Sequence, residues 1–266
     1  MTNDKKRYGL VWHMGVDRFL NKEIMEDVLR FNSKTTLTID SANKKPYFPS
    51  AVEEFIAENQ KKTIKFSDHE EEIMLHKDAR ANSISSCSYF NKDAEISFLE
   101  LSNIIVQSFG ASKETRHRPY PSGGALFTVF PILLVFNTSK IKELEKTGAY
   151  FYDCFENKLC LLKEWKDTKR AESIFAPLED IPSDMAIVYC VDIRKVLLKY
   201  GYLGYNHIYL ETGMMAQSLR KCLYENCEMW GELCYSSYNG NGAKKVLGFN
   251  QRLVITTLVQ WFGIRG

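Results

Sequence analysis

A lysine beside a tyrosine, Lys199-Tyr200, is the pair of side chains in this sequence best suited to moving a proton. In a site shielded from water the neutral forms of both groups gain weight. A base or acid poised in that way is what general acid–base catalysis requires. The same dipeptide is also what the solvated end of a helix looks like, and the residues alone leave both readings open. A glycine and aromatic turn follows the pair, then a short β-like run from Asn206 to Leu210. Glu211-Thr212-Gly213 is expected to open a helix, with Met215, Leu219, Cys222 and Met229 on one face as core packing.

Two further stretches carry chemistry. In Arg118-Pro119-Tyr120-Pro121-Ser122-Gly123-Gly124-Ala125-Leu126, paired glycines before a buried strand either let something flat or anionic approach the backbone or serve a tight turn with positive φ. The run Asn82-Ser83-Ile84-Ser85-Ser86-Cys87-Ser88 precedes a helical pattern. Its hydroxyls and backbone N–H groups can hold a phosphate, and it equally resembles a solvated loop.

These stretches need elements to position them. Helical spacing is expected over 16–31, over 51–59 behind a Ser50/Glu53 capping box, and from Ile96 to Phe109 with Gly110 as the stop. Leu126–Phe136 reads as a buried strand despite Pro131, and 139–146 as a short charged helix. A hairpin spans 148–153 and 158–162, a polar helix 164–174, and a central strand 185–191. Residues 193–199 are helical or irregular, Asn239-Gly240-Asn241-Gly242 is a flexible loop, and a last strand covers 254–262. No GxGxxG follows a strand and no internal repeat occurs. The expected class is α+β, a sheet packed by helices.

The 266 residues suit one large domain with an appendage: a small accessory region over 1–75 and a main domain over 76–266. The accessory region either docks a partner or packs on the main domain. A net charge of +2, with both signs interspersed, argues against nucleic-acid binding. The longest apolar run, Ala125 to Phe136, is too short to span a bilayer. Seven cysteines at irregular spacings and five scattered histidines predict reduced thiols, no metal site and a cytoplasmic setting.

Taken in order, the motifs Arg-Pro-Tyr-Pro-Ser-Gly-Gly-Ala-Leu, Gly-x-Tyr-x-Tyr, Lys-Tyr-x-Tyr-x-Gly-Tyr and Glu-Thr-Gly-x-Met-x-Gln resemble those of the FMN-dependent azoline oxidases. These are dehydrogenases of the nitroreductase-like superfamily, and the likeness is greatest to the oxidase subunits of microcin-type thiazole/oxazole synthases. It runs from about Ser83 to Phe262, through Asn250-Gln251-Arg252 and Leu258-Val259-Gln260-Trp261-Phe262-Gly263, while residues 1–75 match loosely.

The resemblance implies a nitroreductase-like mixed sheet flanked by helices, and a homodimer with FMN at the subunit interface. It implies oxidation of thiazolines and oxazolines in a precursor peptide whose rings a cyclodehydratase has already formed, inside a complex with leader-binding subunits. It assigns proton transfer to Lys199 and Tyr200. It assigns the flavin cradle to Ser122, Gly123 and Gly124, and the flavin's surroundings to Glu211, Thr212, Gly213 and Gln217. The superfamily's Arg-x-Ser-x-Arg phosphate motif is replaced here by Ser85-Ser86-Cys87-Ser88, which leaves Ser85, Ser86 and Arg118 as phosphate ligands. Asn206 and Leu203 stand where the family has arginine, and Met214 where histidine is frequent. Two rival readings remain: an FMN oxidoreductase reducing a small molecule with NAD(P)H, and a flavin-free scaffold subunit.

Overall fold

A computed structural model describes residues 19–36, 49–59, 70, 73, 85–177, 180–226, 229–250 and 252–266. Contacts divide the chain into two compact units, one of residues 1–42 and 86–266, the other of residues 43–85. In the smaller unit one helix is described, α2 (Ser50–Asn59), preceded by Pro49.

The larger unit is built on six strands: β1 (Val129–Val135), β2 (Gly148–Asp153), β3 (Lys158–Glu164), β4 (Met185–Asp192), β5 (Trp230–Tyr235) and β6 (Val254–Ile264). Their order across the sheet is β3-β2-β1-β4-β6-β5. All five pairings are antiparallel, so the α+β class stands while the mixed sheet that the resemblance implied is an antiparallel one. β4 is buried along its whole length. Its alternate residues serve opposite faces: Met185, Ile187, Tyr189 and Val191 join one core, and Ala186, Val188 and Cys190 the other. Pro131 fits inside β1 because pairing with β2 begins only at Ile132, so the residue without an N–H has one neighbouring strand, β4.

Helices cover both faces. On the first lie α1 (Lys22–Thr35), α3 (Phe98–Phe109), α5 (Ile193–Tyr200) and α6 (Leu203–Asn226); on the second lie α4 (Thr168–Phe175) and α7 (Gly240–Leu247). α3 ends where expected, at Phe109, and begins two residues later than expected, at Phe98. Ser97 and Glu100 form a reciprocal capping box, and the Gly110 N–H closes the last turn on Val106.

Several expectations are overturned. The stretch from Leu203 to Leu210 is not β-like, and no helix opens at Gly213: α6 is one 24-residue helix that carries Gly213 in its interior. Local β propensity from Tyr and Ile gave way to packing of Ile208, Met215, Leu219 and Leu223, which recur on one helical face and are buried. The helix ends at Asn226, and Trp230–Tyr235 beyond it is an edge strand. Residues 139–146 form turns instead of a helix. Ile141 bridges Ile96, and Glu143 takes a positive φ of 70°. Asn239 and the three residues after it are not a loop but a helix start: the Asn239 side chain accepts from the Gly242 N–H and caps α7.

Close packing of α5 on α6 depends on Gly204. A Cβ there would lie 2.8 Å from the Val196 carbonyl oxygen and 3.0 Å from its carbon, both backbone atoms that cannot swing away. Gly204→Ala gains about 0.5–1 kcal/mol of helix propensity and loses about 1–3 kcal/mol to overpacking. The expected outcome is a net loss of stability, read as a lower urea midpoint with an unchanged m-value.

Candidate functional site

β4 ends at Asp192 and α5 begins at the next residue, without a connecting loop. The Asp192 carboxylate accepts from the Arg194 N–H and pairs with the Arg194 guanidinium at 2.6 Å, so the junction is fixed by its own cap. The helix stops after Tyr200 because Gly201 takes φ 54° and ψ −136°, with its N–H on the Leu197 carbonyl. Lys199 and Tyr200 therefore occupy the last turn of a short helix whose start is anchored in the central strand. On α1, the Asp27 carboxylate accepts from the Tyr202 hydroxyl at 2.7 Å, and Phe31 meets Tyr205 edge-on at 5.5 Å. These contacts hold the turn that follows the pair.

The other wall is the loop before β1. Gly124, Ala125 and Phe127 have φ of 59°, 53° and 47°. The left-handed region costs a non-glycine residue about 1 kcal/mol, so the loop is held against strain. The restraint is Glu211, one of the most buried charged side chains described. Ser122 Oγ donates to its Oε2 at 2.6 Å, the Val129 N–H donates to Oε1 at 2.9 Å, and Thr128 Oγ1 reaches Oε2 at 3.4 Å. Ser122 Oγ in turn accepts the Phe127 N–H at 2.8 Å. Burial pushes the Glu211 carboxyl above the usual range, against these hydrogen bonds and the Arg118 charge. The structure thus makes Glu211 a shaper of the loop, with both oxygens engaged.

The glycines admit the protein's own side chains. Lys199 Nζ lies 3.4 Å from the Gly124 carbonyl oxygen, and a methyl group on Gly124 would overlap both that amine and the Tyr200 hydroxyl. The turn reading of the Ser-Gly-Gly run therefore holds, since Gly124 needs its positive φ, and the bare backbone there is met by the chain's own Lys199 and Tyr200. One helical turn earlier, Lys195 Nζ donates to the Leu126 carbonyl at 2.6 Å. Burial first and Arg118 second lower its pKa.

The remaining expected residues divide among different places. Gly213 and Gln217 are exposed and line a groove of about 610 Å³ together with Pro119, Pro121, Tyr209 and Met214. A side chain at Gly213 would meet nothing. A groove of that volume has the size of cofactor sites and is continuous in sequence with the glycine loop. Thr212 points the other way, onto the Ile208 carbonyl and Thr257. Arg118 is turned inward. Its Nη1 donates to the Tyr120 hydroxyl at 3.1 Å, its guanidinium sits 4.3 Å over the Phe127 ring, and it lines a separate cavity of about 170 Å³ with Lys195 and Cys154. Ser86 is exposed beside Cys87, whose N–H donates to the Glu232 carbonyl in β5. Register places Glu232 with Phe262, Met185 and Val135, the end of the sheet opposite Val129. Seven residues of β1 separate the two ends, roughly 20 Å. Ser85 is exposed and belongs to the smaller unit.

Sequence reasoning missed His207. It sits four residues before Glu211, one turn away on α6, and its ring lies against Tyr200, tilted by 38° with centroids 4.6 Å apart. Recognising that stretch as helix would have put His207 on the Glu211 face. Among the described residues no group of three or more His, Cys, Asp or Glu side chains can hold a metal ion, and no helix is long and apolar enough to cross a membrane.

No family model matches the chain. It is 27% identical over 195 residues, 71% of this chain and 69% of the relative, to the microcin B17-processing protein McbC of Escherichia coli. Its fold resembles a chain of the E. coli microcin synthetase McbBCD complex with truncated pro-MccB17 bound, with a TM-score of 0.81, 21% identity, and coverage of 97% of this chain and 99% of that one. Two proteins described as nitroreductases also share the fold. One is from Anabaena variabilis, with TM-score 0.57, 15% identity, and coverage of 68% of this chain and 36% of that one. The other is from Ralstonia eutropha, with TM-score 0.55, 15% identity, and coverage of 72% and 88%.

The Glu211 carboxyl has its folded pKa raised above the unfolded value of 4.5. Its contribution to stability is therefore fully present below pH 4.5 and lost as pH rises through the folded pKa. Glu211→Gln removes that titration while leaving an amide that cannot accept from every donor. The expected result is a variant less stable than the parent at acid pH by about 1–3 kcal/mol, with the gap narrowing as pH rises, measured as urea midpoints between pH 4 and 8.

Proposed function

We propose that this chain, a homologue of the microcin B17-processing protein with a nitroreductase-like fold, oxidises thiazoline and oxazoline rings of a ribosomally made peptide to thiazoles and oxazoles. The observation that carries the reading is the meeting of the Lys199–Tyr200 pair and the glycine loop in one place, two motifs separate in sequence. The groove lined by Pro119 and Pro121, just before the glycine loop in sequence, and by Gly213 and Gln217 has the volume and the apolar lining for FMN.

The chain's own residues supply position and proton transfer. Tyr200 takes the proton from the ring carbon as its C–H bond breaks, and the Lys199 ammonium beside it offsets the charge on the phenol oxygen. The pair is held by the capped Asp192 junction at one end of α5 and by Gly201 at the other. The chemistry supplied by bound FMN is acceptance of the accompanying hydride, with dioxygen as the final oxidant. The ring loses two hydrogens and two electrons and gains aromaticity.

The same reading makes the working unit a homodimer. What supports it is that Ser86 lies at the far end of the sheet from Gly123 and Gly124, a separation that suits a flavin shared between copies. Leu203, Leu210 and Met214 on the exposed side of α6 offer the apolar contact. The setting is the cytoplasm, within a synthase that includes a cyclodehydratase and leader-binding subunits. The flavin-binding domain lies within residues 76–266, and of the accessory region expected over 1–75 residues 1–42 group with that domain while 43–75 fall in the smaller unit.

Lys199→Ala and Tyr200→Phe are expected to purify yellow, with normal FMN content, and to leave azoline peptide unoxidised. The loss of two hydrogens per ring, read by mass spectrometry, is the measure. Normal ring oxidation by both variants would sink the assignment, and a colourless parent protein that takes up no FMN would sink the redox reading. Met214→Lys is expected to yield monomers by light scattering and to lose FMN with the dimer. A monomer that keeps its flavin contradicts the interface.

A further inference from the structure

We infer that His207 is a positioning residue for Tyr200, the third side chain of the Lys199–Tyr200 site. This rests on the proton-transfer reading of that pair and adds a component to it.

Three observations place His207 there. Its imidazole covers the Tyr200 ring at 4.6 Å and 38°. Its other edge rests on the glycine loop: a methyl group on Gly123 would come 2.9 Å from Nδ1, 3.4 Å from Cγ and 3.5 Å from Cε1. The ring is therefore wedged between the phenol and the Gly123 backbone, while the phenol's hydroxyl and the Lys199 amine converge on Gly124. The spacing along α6 supplies the third. His207 and Glu211 lie one turn apart, so one helix grips the loop twice, through the imidazole at Gly123 and through the carboxylate at Ser122 and Val129.

The geometry has a physical purpose. Tyr200 ends its helix next to Gly201, where the backbone alone restrains it weakly, and its side chain is only half-buried. A phenol free to choose among rotamers spends part of its time away from Gly124 and from the Lys199 amine. A stacked partner removes that freedom on the side the backbone leaves open. Gly204 is what brings α6 near enough to α5 for the stacking, since its missing side chain accommodates the Val196 carbonyl. The imidazole acts here through its flat face, so a flat apolar ring of similar size should replace it.

An aromatic pair of this kind biases a ring's position by a factor of about two to ten. His207→Ala is expected to lower kcat for azoline oxidation by up to about tenfold, with KM for the peptide and the dissociation constant of FMN within about twofold of the parent. His207→Phe is expected to restore kcat. Activity alone would not separate positioning from damage. A second reading therefore uses the full chain without added cofactor, with ring-labelled tyrosine and the Tyr200 signal identified by its loss in Tyr200→Phe. That NMR signal should move in His207→Ala and return in His207→Phe. Gly123→Ala, whose methyl displaces the imidazole, should give the same displaced Tyr200 signal without touching His207 itself.

An unmoved Tyr200 signal in both His207→Ala and Gly123→Ala overturns the proposal, as does a His207→Phe variant as slow as His207→Ala. A parallel fall of FMN affinity and kcat also overturns it, by making His207 a cofactor ligand. Failure of the underlying reading looks different: Tyr200→Phe would oxidise rings at the normal rate whatever the NMR signal shows.

Discussion

The Glu211 carboxylate is the interaction on which the site depends. A loop with left-handed backbone at Gly124, Ala125 and Phe127 does not hold that shape by itself. Burying a carboxylate is unfavourable unless donors surround it, and here the donors are Ser122, Thr128 and the Val129 N–H. Each side of the contact removes the other's difficulty. The carboxylate gains partners that offset its desolvation, and the loop gains a point around which its unusual turn closes. Because Val129 opens a strand next to the central one and Glu211 lies inside the longest helix, the loop is tied to both layers of the fold at once.

Glycine does its work here through closeness more than through flexibility. Gly204 lets α6 approach the Val196 carbonyl, Gly123 admits the His207 ring, and Gly124 admits the lysine amine and the tyrosine hydroxyl. A Cβ at any of them would intrude on a neighbour. Gly213 is the contrast: a side chain there would meet nothing in the chain, and it faces the groove. The first three glycines bring the protein's own groups together, while the fourth leaves the groove wall bare.

How far the site could be read from sequence follows from which interactions are local. The end of α3 was legible, because Gly110 acts within a turn of its own position, while the Ser97–Glu100 capping box that starts the helix went unread. The hairpin and the central strand were legible from apolar runs. The helical character of 203–210 was not, because Tyr205, Ile208 and Tyr209 favour strands locally and only burial against the sheet reverses that preference. That misreading hid His207, whose relation to Glu211 exists only at helical spacing. Asn239 was similarly obscured: an Asn-Gly-Asn-Gly run has the composition of a loop, yet its first asparagine caps α7. The inward turn of Arg118 depends on the Tyr120 hydroxyl two residues on and on the rings of Phe127 and Phe155, the last of them on a distant segment that no local pattern announces.

The position of the serine segment has a consequence for where a phosphate can be held. A single copy separates Ser86 from the glycine loop by the length of β1, whereas Arg118 and Lys195 stand close to that loop but face an internal cavity of about 170 Å³. That volume admits a small anion and excludes a three-ring cofactor. The lowered pKa of Lys195, set first by burial and then by the Arg118 charge, marks a cost to the fold. The Lys195 amine offsets part of that cost by binding the Leu126 carbonyl, which closes the same loop that Glu211 shapes from the other side. Glu211 and Lys195 thus clamp the two flanks of one turn, the turn on which the Lys199 amine and the Tyr200 hydroxyl converge.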